Sequence, residues 1–235
     1  MNVTEVLSEL ESYGDVQTKK TYMKHGAKEP LFGVKVADLK KILKKTKKNH
    51  ELSLALYATG NSDAMYLAGL MADEKKMTEA QLNDWVGKAY WAYLCEYTVP
   101  FVAAETDFGF NLGLKWIQSD QENIAAAGWA ALANFAFVHD DNKLDIKAYS
   151  DLLDMVAQKI ATAQNRVKHT MNGFVIAIGT HIKDLTPKAF DISEKMGIVS
   201  VDMKGTACKE PFAKDYILKA IDNGRWGQKR KSCRC

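Results

Sequence analysis

IAAAGWAALANFAF, residues 124–137, has Asn134 as its one polar side chain. It shows neither the strict alternation of a half-buried strand nor the single stripe of a surface helix. A helix that is apolar nearly all round is buried on more than one side. Two other stretches share this character: AMYLAGLM (64–71) and TMNGFVIAIG (170–179). Each follows short polar punctuation, GNSD, QSDQEN or TAQN, and each punctuation follows an amphipathic stretch with a period near 3.6.

The chain from residue 50 therefore reads as helix pairs. First helices are predicted at about 50–59, 78–88, 107–118 and 145–162, and second helices start near 62, 90, 121 and 165. The second helices start about 28, 31 and 44 residues apart, within the range of two-helix repeats. Such pairs stack into a curved solenoid with a concave binding surface. A compact bundle is the alternative, and it requires the apolar faces to converge on one core. The small residues Gly69, Gly128 and Gly173 are expected to let helices approach closely. Before the pairs, Val3, Val6, Leu7 and Leu10 line a first helix with Asn2 and Glu5 at capping-box spacing. Pro30 and Gly33 break the chain ahead of a lysine-rich helix whose narrow apolar stripe is Leu39, Ile42 and Leu43.

Composition agrees with an all-α reading. The 235 residues contain only four prolines and 15 glycines, few for a turn-rich β fold. No apolar run approaches a membrane span, and the N-terminus lacks the pattern of a signal peptide. The four cysteines form no disulfide framework, so a cytoplasmic protein with reduced thiols is expected. Cys233 and Cys235 make a C-x-C in the tail, and the five histidines share no metal-ligand spacing, so no metal or other cofactor is expected.

Charge is unevenly spread. Thr18 to Lys48 holds eleven lysines against Glu29 and Asp38, and the tail from Gly224 adds five cations with no acid. The formal net charge is only +3, so the remainder is acidic. Two basic regions on an acidic body suggest a polyanion partner, against the bland alternative of a solvated lysine face and a disordered tail. The expected organisation is one repeat domain over 1–222 and a basic tail over 223–235.

KAYWAYLCEYTVP, residues 88–100, sets Glu96 among four aromatic rings. Acids are seldom buried without a partner. Glu96 thus either reaches a wet cleft, hydrogen-bonds within the core, or works as the carboxylate of a site.

YMKHGAKEPLFGVKVADLKKILK (22–44), KWIQSD (115–120) and RVKHTMNGFVIAIG (166–179) resemble segments of the DNA alkylation repair family, the AlkD-like HEAT-repeat DNA glycosylases. The resemblance covers roughly residues 15–190 and implies a HEAT/ARM-like α-α superhelix. The family's W-W-D-x-V-D motif falls on residues 91–96, ahead of Val99-Pro100. It places Trp91 at the first tryptophan, Ala92 at the second and Glu96 at the catalytic aspartate. Ala126 stands where the family has a DNA-holding arginine, and Phe174 where it has a later tryptophan.

The resemblance implies a DNA-binding, monomeric protein with N-glycosylase chemistry on cationic alkylpurines. Such bases leave neutral, and a fixed carboxylate stabilises the sugar cation left behind. Glu96 is the candidate for that role. Trp91, Tyr93 and Phe174 are the rings that would frame the lesion, with Tyr93 one turn before Glu96. Lys35, Lys40, Lys44, Lys47, Arg166 and Lys168 are expected to meet the DNA backbone. Ala92 and the missing arginine favour a rival reading, a non-catalytic binder of DNA structures. A protein-interaction scaffold is a third, since solenoids also bind peptides.

Overall fold

The computed structural model describes residues 1–203, 205 and 208–234. Three helices open the chain: α1 (Val3–Ser12), α2 (Val16–Lys24) and α3 (Val36–Thr46). Asn2 and Glu5 form the capping box anticipated from their spacing. Next come α4 (His50–Ala58) and α5 (Ser62–Met71), then α6 (Glu79–Lys88), a π-helical turn (Tyr93–Thr98) running into α7 (Val99–Ala104), then α8 (Gly109–Trp116) and α9 (Glu122–Val138). The last four are α10 (Ile146–Lys159), α11 (Asn165–His181), α12 (Thr186–Met196) and α13 (Ala213–Asp222). No strand occurs among the described residues. The predicted pairs correspond to α4/α5, α6/α7, α8/α9 and α10/α11, close to the expected bounds except in the second pair, where the helix expected from about 90 opens as the π turn at Tyr93 and is α-helical only from Val99.

The all-round apolarity of α9 has a direct cause. The buried side chains fall into two clusters that meet along this helix. Ala127 and Ala131 join the N-terminal cluster, and Trp129, Leu132 and Phe135 join the C-terminal one. A helix between two layers needs no polar face, and the apolar faces converge on successive neighbours rather than on one centre.

Close approach explains two of the three glycines singled out. A Cβ at Gly69 would lie 2.4 Å from Cγ2 of Thr98, and one at Gly128 would lie 2.6 Å from the Ile117 nitrogen. Gly173 differs: a Cβ there would meet nothing within 4 Å, so the expected close packing does not occur at that position.

Residues 223–234 are not a loose tail. The Trp226 indole donates to the Thr186 hydroxyl (3.0 Å) and the Arg230 amide to the Phe137 carbonyl (3.0 Å). Lys229 pairs with Asp141 at 2.7 Å. Arg234, its side chain 7% exposed, pairs with Glu74 and Glu105 at 2.5 Å each and donates to the carbonyls of Gly69 and Ala72. The segment is a strap that ties α5 and α7 to the C-terminal helices. Cys233 is buried under it, while Cys235 lies outside the described residues.

Candidate functional site

Pro100 shapes the stretch that carries Glu96. Lacking an N–H, it leaves the Glu96 carbonyl without its usual helical donor and crowds it. The backbone widens into the π turn just before the proline, where the Thr98 hydroxyl bonds the Tyr93 carbonyl at 2.7 Å. Single π turns of this kind recur at functional sites. Here the turn directs Glu96 toward α11.

Arg166, in the first turn of α11, meets it there. Nε lies 2.6 Å from Oε1 of Glu96 and Nη2 lies 2.6 Å from Oε2, a fork-to-fork pair. The Glu96 side chain is 3% exposed and that of Arg166 22%. Burial works against the Arg166 charge, but the hydrogen bonds to Glu96 and the attraction of its negative charge together outweigh it and raise the guanidinium pKa. His169, one turn on, sets Nε2 3.6 Å from Oε2 of Glu96 and donates through Nδ1 to Glu210 at 2.7 Å. Asn172 donates to the other Glu210 oxygen and to the Pro211 carbonyl. Asn165 exchanges two hydrogen bonds with the Asp202 backbone, and Met203 Sδ lies 3.8 Å from Arg166 Nη1. Residues 202–203 and 210–211 thus lie along α11, over the ion pair.

The aromatic residues divide. Trp91 is buried and donates to the Ser62 hydroxyl at 2.8 Å. Tyr93, half-buried, stacks on it with ring centres 4.7 Å apart. Burial pushes the Tyr93 hydroxyl pKa up. Phe174 does not frame this site. It is fully buried between Trp129 and Tyr149, so the expectation drawn from its alignment is corrected: it fills the core. Ala126, in the arginine position, is also fully buried.

Beside Ala92 a cleft of about 520 Å³ opens, lined by His25, Lys28, Trp91, Asn123, Arg166 and Met203 among others. A tryptophan at residue 92 would add bulk at its wall. The N-terminal turns of α9 and α11 both reach it through Asn123 and Asn165. On α3 and just beyond it, Lys41, Lys45 and Lys48 are paired with Asp38, Glu9 and Glu74. Lys40, Lys44 and Lys47, three of the six residues expected to meet DNA, form no ion pair among the described residues, and Lys44 and Lys47 are exposed. Lys35 is exposed at the N-cap of the same helix, and Lys168 is half-buried on α11. Sequence reading missed Glu210, Glu74 and Glu105. Their partners lie far along the chain, and no local pattern marks them.

This arrangement is an all-α, HEAT-like repeat fold with a buried carboxylate–guanidinium pair between the π turn and the start of α11. The model of the DNA alkylation repair enzyme family matches residues 6–206, and the chain belongs to that family. Among its relatives, the uncharacterized protein Lmo0209 of Listeria monocytogenes is 31% identical over 91% of this chain and 94% of its own length. The uncharacterized protein Lin0241 of Listeria innocua is 32% identical with the same coverage. A solved structure from "a new family of proteins related to the HEAT-like repeat DNA glycosylases with affinity for branched DNA structures" superposes with a TM-score of 0.92. It is 38% identical, with each chain covered in full.

Proposed function

We propose that this protein, acting as a monomer, binds branched or distorted DNA through backbone contacts and does not excise bases. The observation that carries the second half is the Glu96–Arg166 pair. A carboxylate that stabilises a developing sugar cation must offer uncompensated charge to it. Glu96 offers none: each oxygen holds a guanidinium N–H, and the side chain is sealed from solvent. The pair instead locks α11 to the π turn.

The first half draws on the 38% identical relative with affinity for branched DNA, and on the unpaired lysines of α3. Exposed lysines without carboxylate partners release counterions on meeting phosphate, which makes affinity fall with salt. Lys35, Lys40, Lys44, Lys47 and Lys168 serve as phosphate contacts in this reading. The cleft beside Ala92, with His25 and Lys28 on its rim, accommodates backbone where strands diverge.

Two measurements test the proposal. Wild-type protein incubated with methylated DNA should release no 3-methyladenine or 7-methylguanine above buffer. The same protein should bind a four-way junction more tightly than a duplex of equal length, with salt-dependent affinity. Base release would restore Glu96 as a catalytic carboxylate, and equal affinity for both forms would remove the preference for branches.

A further inference from the structure

Gly173 lies within α11, where a glycine is less favourable than alanine because it loses more backbone freedom. Nothing packs against it that a side chain would displace. What its missing side chain does is keep a groove open. That groove, about 330 Å³, runs between α9 and α11 from Glu96, Tyr97 and His169, where the Glu96 charge is held by Arg166, to Phe137 and His181. Its floor is made by Ala130, Ala133, Gly173 and Ala177. A second cavity of about 470 Å³ shares Phe137, Ile176, Thr180 and His181 with it and continues to Lys219, Arg225 and Arg230. Both volumes fall in the range of small-ligand sites.

Three features point to what the groove holds. Thr180 lines both parts, is more than nine-tenths buried, and its hydroxyl has no hydrogen-bond partner among the described residues. Buried polar groups are ordinarily satisfied, so this one awaits a partner. His181 Nδ1 lies 2.8 Å from the Gln228 carbonyl, which only accepts, so Nδ1 donates. Burial lowers the ring's pKa to about 4, so at neutral pH Nε2 keeps its lone pair and can accept from an N–H. Finally, Lys219, Arg225 and Arg230 form no ion pair among the described residues, and no carboxylate lines that end of the groove. The Arg230 guanidinium lies 5.1 Å from the centre of the Phe137 ring, so cation and aromatic surface sit side by side.

We infer that this groove binds a single-stranded nucleic-acid segment, with an unpaired base over Gly173 and the Phe137–His181 corner and its phosphates on Lys219, Arg225 and Arg230. A positive channel combined with aromatic stacking surface is the chemistry that holds single strands without reading sequence. The base supplies an apolar face for the alanine floor and hydrogen-bonding edges for Thr180 and His181. The site is separate from the α3 lysines and from the cleft beside Ala92.

The test uses fluorescence anisotropy on the full chain with a short labelled oligothymidylate and an abasic strand of equal length. Wild-type protein should bind the oligothymidylate at least tenfold more tightly than the abasic strand. Gly173→Leu should fill the groove, leave or raise the melting temperature, and weaken oligothymidylate binding about tenfold or more. Its affinity for duplex and four-way-junction DNA, read in parallel, should stay within twofold. Lys219→Glu with Arg225→Glu, both on exposed side chains, should weaken the single-strand complex and flatten its salt slope by roughly 0.7 for each phosphate no longer neutralised. Equal affinity for the two probes overturns the inference, as does unchanged oligothymidylate binding in both variants. Binding of neither probe by folded wild-type protein assigns the groove to another occupant and overturns it too.

Discussion

Glu96→Gln and Arg166→Met should destabilise the fold unequally, and the inequality is the signature of a structural ion pair. Glu96→Gln removes the buried charge but leaves a cation whose side chain is 22% exposed and partly hydrated. The glutamine amide also turns a donor toward a guanidinium that only donates. One of the two 2.6 Å bonds is lost and the other weakened, and the penalty should be about 2 kcal/mol. Arg166→Met leaves a carboxylate 3% exposed without its cation, the costlier error, at roughly 3–5 kcal/mol. For a chain of this size 1 kcal/mol moves the melting temperature by about 2–4 °C, so the two variants should separate clearly. The double variant should recover part of the loss, giving a coupling energy on the order of 1–3 kcal/mol. Urea unfolding followed by circular dichroism measures all three. If both single variants unfold within about 0.5 kcal/mol of wild type, the pair does not hold the structure. Should Glu96→Gln abolish a measurable base release at unchanged stability, the carboxylate is catalytic after all.

Other expectations follow from the strap, the lysine helix and the glycines. Arg234→Ala leaves Glu105 and Glu74 without their shared cation, so the chain should lose roughly 3 kcal/mol, and trypsin should cut faster near Lys229 and Lys231. Although burial opposes it, hydrogen bonds from Lys48 and Arg234 hold the Glu74 pKa down at about 2, against an ordinary 4.5. A depressed carboxylate stabilises fully above its unfolded pKa, so this contribution should fade as pH falls from about 4.5 to about 2, and the Arg234→Ala stability curve should be flatter there. Replacing Lys40, Lys44 and Lys47 with alanine should weaken DNA binding at every sequence and reduce the salt slope by roughly 0.9 for each phosphate left unneutralised; an unchanged slope places the DNA face elsewhere. Gly128→Ala should destabilise by about 1–3 kcal/mol through overpacking against the Ile117 backbone. Gly173→Ala should instead stabilise by about 0.5–1 kcal/mol, measured in the same thermal melts.

Local physics makes most of the fold readable. The 3.6 period, the polar punctuation and the Asn2–Glu5 cap each report on residues within one or two turns, and they place three of the four helix pairs within a few residues, the π turn before Pro100 displacing the start of α7. The uniform apolarity of residues 124–137 even announces that α9 is covered on both sides. The basic tail reads as charge in the sequence and works as anchorage in the fold. Arg234 meets Glu74 and Glu105 across 160 and 129 residues, and nothing near it in sequence reveals those partners. Phe174 is misplaced by its alignment for a related reason. Alignment fixes its position on α11, but the burial of that face depends on Trp129 and Tyr149 in other repeats.

Glu96 shows why a motif position alone does not decide chemistry. An isolated carboxylate on an inner helix can stabilise a cation in a substrate, and the same carboxylate beside a fixed guanidinium has already spent its field. What separates the two cases sits 70 residues away, in the first turn of α11. Arg166 is too far along the chain to be part of any pattern around Glu96. Its backbone amide donates to Glu122 at 2.8 Å, which fixes the start of α11 against the start of α9 and aims the guanidinium inward. Glu122→Ala should therefore loosen Arg166 without touching Glu96, at about 0.5–1.5 kcal/mol for one such bond. If the pair is structural, this variant should also lower the coupling energy between Glu96 and Arg166. An undiminished coupling would mean that Arg166 is positioned by the carboxylate alone.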